Sequence, residues 1–225
     1  MSDGLRKWQT SHWQRLLRDT ITIVQSTESP PAWQFGGGTA LAVQLNHRIS
    51  YDIDAFVDSS NAIRDLTPNR NPITKRILGD GKYEYPGSYL KLCFEHGEID
   101  FIVACSRTSN PTFKWIFEGA EIDIERPCEI IIKKIFYRPS SFKTRDIFDF
   151  AAVLPGHADK LAKALIEVEE KLGKVIDRIT RMGPSYQQAA LCEVNPTDSG
   201  RQFMSKDTVD DVLAFLHRWN SSREH

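Results

Sequence analysis

The stretch that decides the fold reads Phe35-Gly36-Gly37-Gly38-Thr39-Ala40-Leu41-Ala42-Val43-Gln44-Leu45 and resumes at Arg48-Ile49-Ser50-Tyr51-Asp52-Ile53-Asp54-Ala55-Phe56-Val57. The first part is a glycine run leading into small and apolar residues, which reads as a helix. The second alternates in the manner of a strand from Ser50 to Val57. Side chains at i and i+2 of a strand share a face. Asp52 and Asp54 therefore stand side by side, while Ile53, Ala55 and Val57 turn to the core. Two neighbouring carboxylates repel each other, and a bound cation relieves that repulsion; oxygen-only ligands at a strand end suit Mg²⁺. Arg48 and Ser50 alternate with Asp52 on the same face, Arg48 to hold a phosphate or brace the carboxylates and Ser50 to hydrogen-bond within the site. Ahead of them, Gly37, Gly38 and Thr39 open a helix. Glycine lets the backbone approach a ligand closely, and a helix N-terminus offers free N–H groups and the positive end of its dipole. The pair reads as a triphosphate cradle one helix ahead of a metal-binding strand. No Gly-Lys-Ser/Thr follows, which excludes a Walker loop, and G-x-G-x-x-G is absent.

Working outward, Tyr89–Phe94 and Glu98–Ala104 are strand-like runs joined by Glu95-His96-Gly97, a hairpin signal. Asp100 and Glu98 share a face of the second run, and Asp100, farther from the turn, is the candidate third carboxylate of a two-metal site. Toward the N-terminus, Trp8, Trp13, Leu16, Leu17, Thr20, Ile21 and Val24 recur at helical steps, which predicts an amphipathic helix over 6–26. Ala62–Leu66 and Ile73–Leu78 suit short helices. From residue 124 the pattern is helical, with Ile124–Arg138, Lys143–Leu154, His157–Met182 and Lys206–Trp219 as candidates and Gly183-Pro184 and Asn195-Pro196 as stops. The fold class is α+β: a mixed sheet with helices, then a helical C-terminal half. The division is expected at 1–115 and 116–225, the second region packing on the first and contributing to the active site.

The chain has 225 residues, 40% hydrophobic and 26% charged, with 29 basic against 30 acidic residues and a net charge of −1. That is globular composition, and bulk charge does not mark a nucleic-acid binder. The absence of a long apolar run predicts no membrane span, and the N-terminus lacks a signal-peptide pattern, so a cytoplasmic location is expected. Cys93, Cys105, Cys128 and Cys192 form no CxxC pair and read as small hydrophobes in a reducing compartment. The six histidines form no ligand spacing. Locally the charge is less even: residues 126–145 carry Arg126, Lys133, Lys134, Arg138, Lys143 and Arg145 against Glu129 alone, a net of +5. Lys134 and Arg138 share a helix face, as do Asp146 and Asp149. Such a basic face suits nucleotide phosphates or an RNA backbone. Lys134 is expected to be a solvated lysine on a site wall, and Lys133, about 100° around the helix, to be the more tolerant position.

Together these residues resemble the nucleotidyltransferases of the AbiEii/AbiGii toxin family, within the DNA polymerase β-like superfamily. The likeness rests on Phe35–Leu45 and Arg48–Phe56, then on Glu129–Arg138 and Lys143–Asp149, the last two resembling a lysine-bearing helix and an R-D-x-x-D helix start. It spans 35–154, with Gly38-Thr39 where the superfamily commonly has Gly-Ser. The resemblance implies a polymerase β-like core, an Mg²⁺-dependent transfer of a nucleotide from an NTP to an acceptor such as tRNA, and a toxin with a cognate antitoxin partner. It implies Asp52 and Asp54 as catalytic metal ligands with Asp100 as the third. Gly37, Gly38, Thr39, Arg48, Ser50 and Arg138 would bind the nucleotide, and Lys134 would hold phosphate charge. Asp146 or Asp149 would orient the lysine or deprotonate the acceptor. Two other readings stay open: a small-molecule nucleotidyltransferase, and a catalytically inactive nucleotide-binding regulator acting through a protein partner.

Overall fold

The computed structural model describes residues 10–223. A seven-stranded mixed sheet is built from β1 (Trp33–Gly36), β2 (Ile53–Val57), β3 (Lys82–Glu84), β4 (Tyr89–Phe94), β5 (Gly97–Val103), β6 (Thr112–Phe117) and β7 (Ala120–Glu125), in the order β3-β4-β5-β2-β1-β7-β6. Only β2 with β5 and β1 with β7 run parallel; the remaining neighbours are antiparallel. The helices are α1 (Trp13–Gln25), α2 (Gly37–Leu45), α3 (Ser60–Leu66), α4 (Pro72–Leu78), α5 (Pro127–Tyr137), α6 (Thr144–Ala164), α7 (Glu169–Met182), α8 (Tyr186–Glu193) and α9 (Asp207–Ser221). This is the expected α+β architecture, a mixed sheet followed by a helical half.

The periodicity explains most of it. In β2 the apolar residues Ile53, Ala55 and Val57 are buried, while Asp54 and Phe56 on the other face are only partly covered. Helix α1 buries Leu16, Leu17, Thr20, Ile21, Ile23 and Val24 along one stripe; Trp8, part of the expected pattern, lies outside the described residues. Short α4 is held at its start by Asn71, whose Oδ1 accepts from the amides of Ile73 (2.8 Å) and Thr74 (3.1 Å), with Pro72 in the first turn. Such a cap contributes about 1 kcal/mol.

Several expectations shift. The strand starts at Ile53, not Ser50, because residues 46–52 form a connection tied to the C-terminal half. There Arg48 bridges Pro196, the Ile49 amide donates to the Asn195 carbonyl (2.8 Å), and the Thr197 amide donates to His47 (3.2 Å). The β6–β7 hairpin extends the sheet to Glu125, so the division expected at 115/116 falls inside β6. Its strands carry Ile122 and Ile124 alternating with Asp123 and Glu125, and its turn uses Glu118 and Gly119 at positive φ. The break expected after Leu154 is also absent. Helix α6 runs through Pro155, losing one backbone donor there, with buried residues on both sides of it, Ile147 to Ala151 and Val153 before and Leu161 after. The next change of direction is a 3₁₀ turn at Leu165–Val168. Among the described residues, no helix is long and apolar enough to cross a membrane.

Candidate active site

Parallel pairing of β2 and β5 sets Asp54 directly beside Asp100, and antiparallel pairing of β1 and β2 sets Gly36 beside Asp54. Asp52 stands just before β2, and its Oδ1 accepts the Glu98 amide (3.1 Å). The three carboxylates thus converge where β2 begins. Like charges directly opposite on a sheet are destabilising. Burial, then the charge of Asp52, pushes the Asp54 carboxyl up; burial, then the charge of Asp54, pushes Asp100 up to about 6. One Asp100 oxygen, Oδ1, is buried without a hydrogen-bond partner, while Oδ2 accepts from Lys91 Nζ (3.1 Å), which also reaches Glu98 (2.7 Å). Among the described residues, no group of three His, Cys, Asp or Glu side chains is arranged to hold a metal ion by itself. The donor chemistry nonetheless fits a hard cation. Mg²⁺ commonly takes one or two protein carboxylates and fills its shell with water and substrate phosphate.

Helix α2 begins against this cluster. Gly37 has φ +66°, and a Cβ there would run into the Asp54 carboxylate; one at Gly38 would meet Arg48 Nη2. The glycines are therefore required where the helix N-terminus approaches Asp54. Thr39 is buried. Its hydroxyl donates to the Asp52 carbonyl and is hydrogen-bonded to Ser50 Oγ (2.8 Å), so it ties the helix start to the acidic segment.

The helical half supplies the opposing charge. Lys134 on α5 is 8% exposed and pairs with Asp149, and also with Asp146 at 3.0 Å. Asp149, fully buried on α6, also accepts from both guanidinium arms of Arg48 (2.7 and 3.1 Å) and from His47 Nε2 (2.8 Å). Burial opposes its ionised form, but Arg48 and Lys134 outweigh burial and hold the carboxyl well below the usual carboxylate range. Asp146 accepts from Arg138 (2.6 Å) and from the Lys143 amide (3.0 Å). Its burial is likewise outweighed, by Lys134 and Arg138, and its carboxyl is lowered. Lys134 is thus not the solvated wall residue expected from the pattern. Lys133 is buried too: it pairs with Glu125 at the end of β7 and lies 4.0 Å over the Phe56 ring.

A cleft of about 520 Å³ joins these groups. Gly37, Gly38, Thr39, Arg48, Ser50, Asp52, Asp54, Asp100, Lys134, Arg138 and Asp146 all line it; Asp149 lies behind the wall. Lys143 and Arg145 form a cationic rim, and burial with the nearby charges of Arg145 and Arg138 lowers the Lys143 ammonium. Sequence reasoning missed four groups. Lys91 follows from counting back across the predicted hairpin, since Phe94 pairs Gly97 and hence Lys91 pairs Asp100. Glu125 and its partner Lys133 become visible once the alternation of β7 is recognised; burial pushes Glu125 up to about 7, against the opposing charge of Lys133. His47 carries no spacing signal, since its partner is 102 residues away.

The model of the family described as "Nucleotidyl transferase AbiEii toxin, Type IV TA system" matches residues 22–215. No curated protein matches the sequence. Among solved structures, JHP933 from Helicobacter pylori is 15% identical with a TM-score of 0.52, covering 96% of this chain and 95% of its own. MenT4, the nucleotidyltransferase toxin Rv2826c from Mycobacterium tuberculosis H37Rv, is 12% identical with a TM-score of 0.50, covering 96% and 90%. At these identities the structural likeness concerns the fold.

Proposed function

The chain belongs to the nucleotidyl transferase AbiEii toxin family, and from that premise we propose that this nucleotidyltransferase moves a nucleotide from an Mg²⁺-bound NTP to a hydroxyl of an RNA acceptor, tRNA in the first instance. A type IV toxin–antitoxin family implies an antitoxin partner as well. One observation carries the reading. The N-terminus of α2, the carboxylates of Asp52, Asp54 and Asp100, and the Lys134 ammonium open onto one cleft, although they come from opposite halves of the chain.

In this reading Asp52 and Asp54 hold the ion, with Asp100 facing the same position. When bound, Mg²⁺ supplies neutralisation of phosphate charge. The first-turn N–H groups of Gly38 and Thr39 receive the triphosphate, helped by the positive end of the α2 dipole. Lys134, fixed between Asp146 and Asp149, presents its ammonium to the phosphates at a set position. Arg48 braces the cleft from below through Asp149 and is not free to wrap a phosphate. The hydroxyl attacks the α-phosphorus and gives up its proton to solvent water, a new P–O bond forms, and the bond to the leaving pyrophosphate breaks. Catalysis then rests on positioning and charge neutralisation. The depressed carboxyls of Asp146 and Asp149 support a positioning role for both and argue against either as proton acceptor. Arg138, Lys143 and Arg145 at the rim suit the phosphates of an RNA chain.

The test is incubation with each labelled NTP, Mg²⁺ and total cellular RNA, in parallel with small hydroxylated acceptors. Label in RNA, lost with Asp54→Asn, is the expected result. Label only on small acceptors would move the assignment to a small-molecule enzyme. Nucleotide binding without any transfer would leave a regulator.

A further inference from the structure

Across the sheet, Lys91, Asp100, Asp54 and Gly36 occupy consecutive partner positions on β4, β5, β2 and β1. Side chains paired this way project to the same face, so Asp100 stands between a like charge and an opposite one. On one side is the Asp54 carboxylate. On the other, Lys91 Nζ lies 3.1 Å from Asp100 Oδ2 and 2.7 Å from Glu98 Oε2, with Lys91 and both acids mostly covered. A polymerase-type site with three carboxylates has room for two divalent ions when all of its oxygens are open to metal. Here one Asp100 oxygen is already taken by an ammonium anchored on a strand. A second dication on that carboxylate would have to share it with a fixed positive charge at contact distance.

We infer that Lys91 is a built-in cation of the cleft, holding Asp100 in place of a second metal so that the centre takes one divalent ion, on Asp52 and Asp54. This rests on the metal-binding reading above. It makes Lys91 a positioning residue that sets metal stoichiometry through Asp100. Lys91→Met keeps most of the apolar stem, one atom shorter, and removes the ammonium with its charge and its hydrogen bonds to Asp100 and Glu98. It frees Asp100 and Glu98 as ligands and takes away a repulsion that, even screened, is large at this separation.

The experiment is a titration of the full-length, nucleotide-free protein with Mn²⁺, following the electron paramagnetic resonance signal of the free ion. Wild type should bind one Mn²⁺. Lys91→Met should bind a second, at least about tenfold more tightly than any second ion on wild type. Adding Asp100→Asn to Lys91→Met should abolish the gain, and Lys91→Arg, which keeps the cation, should behave as wild type. Two ions on wild type, or no gain in a folded Lys91→Met, would overturn the inference. Asp54→Asn separates this from the parent reading. If it leaves Mn²⁺ binding intact, the metal assignment itself fails; if it abolishes binding while Lys91→Met changes nothing, only the role of Lys91 fails.

Discussion

Individual carboxylates in and behind this cleft are set in opposite directions by their surroundings. Asp100 and Glu125 are raised, to about 6 and about 7, chiefly by burial, whereas Asp146 and Asp149 are lowered by the lysine and arginines around them. Linkage gives each pair a sign. A carboxyl raised above its unfolded value of about 4 binds a proton more readily in the folded state. Its stabilising effect is complete below the unfolded value and is lost as pH rises through 6–7. The lowered pair stabilises above about pH 4, and that contribution is lost as pH falls. The metal-free protein should therefore melt about 5 °C higher at pH 5 than at pH 8, then lose stability below pH 4. Asp100→Asn should remove part of the upper slope. Thermal melts across pH test this, and a melting temperature that climbs from pH 5 to pH 8 would contradict it.

Elements carry these residues to one place, and their legibility in sequence varies with the range of the interactions that fix them. The alternation of Ile53, Ala55 and Val57 and the Glu95-His96-Gly97 turn are local signals, and β2, β4 and β5 follow them closely. The helical signal after the glycine run likewise matches α2. By contrast, Ser50–Asp52 belong to the strand-like pattern, yet the strand begins only at Ile53, because residues 46–49 before them are held as a connection by Asn195, Pro196 and Thr197, some 150 positions away. No local pattern reports such a contact. The same holds for Asp149, whose partners Arg48 and His47 lie about a hundred positions away. At the start of α2, Gly37→Ala combines strain at positive φ with a methyl group pressed into the Asp54 carboxylate. A shift of about 1 Å at a reacting centre costs on the order of 100-fold. That is the loss of kcat/KM expected for Gly37→Ala, read by steady-state kinetics on protein shown to be folded by circular dichroism. Near-wild-type turnover would mean that the α2 N-terminus does not contact the reacting phosphates.

In the proposed reading, sheet and helical half together make one nucleotide site. The buried ion network joins them: Arg48 precedes the sheet's acidic strand, Lys134 lies on α5, and Asp146 and Asp149 lie on α6. Lys134→Ala removes the proposed phosphate contact and also leaves two buried carboxylates short of a partner. The first effect should cost about 1.5–3 kcal/mol of binding, roughly 10- to 150-fold in affinity. The second should cost about 3–5 kcal/mol of stability, about 10 °C in melting temperature for a chain of this size. Stability and binding must therefore be read on the same samples, well below the melting temperature. The most direct measurement is calorimetric titration of an Mg²⁺-bound, non-hydrolysable NTP onto wild type, Asp54→Asn, Lys134→Ala and the double variant. One shared site predicts that each single variant weakens binding at least tenfold and that the losses in the double variant are not additive, since both groups act on one triphosphate. Wild-type affinity in folded Lys134→Ala, with Asp54→Asn alone impaired, would contradict the claim and leave the helical half outside the site.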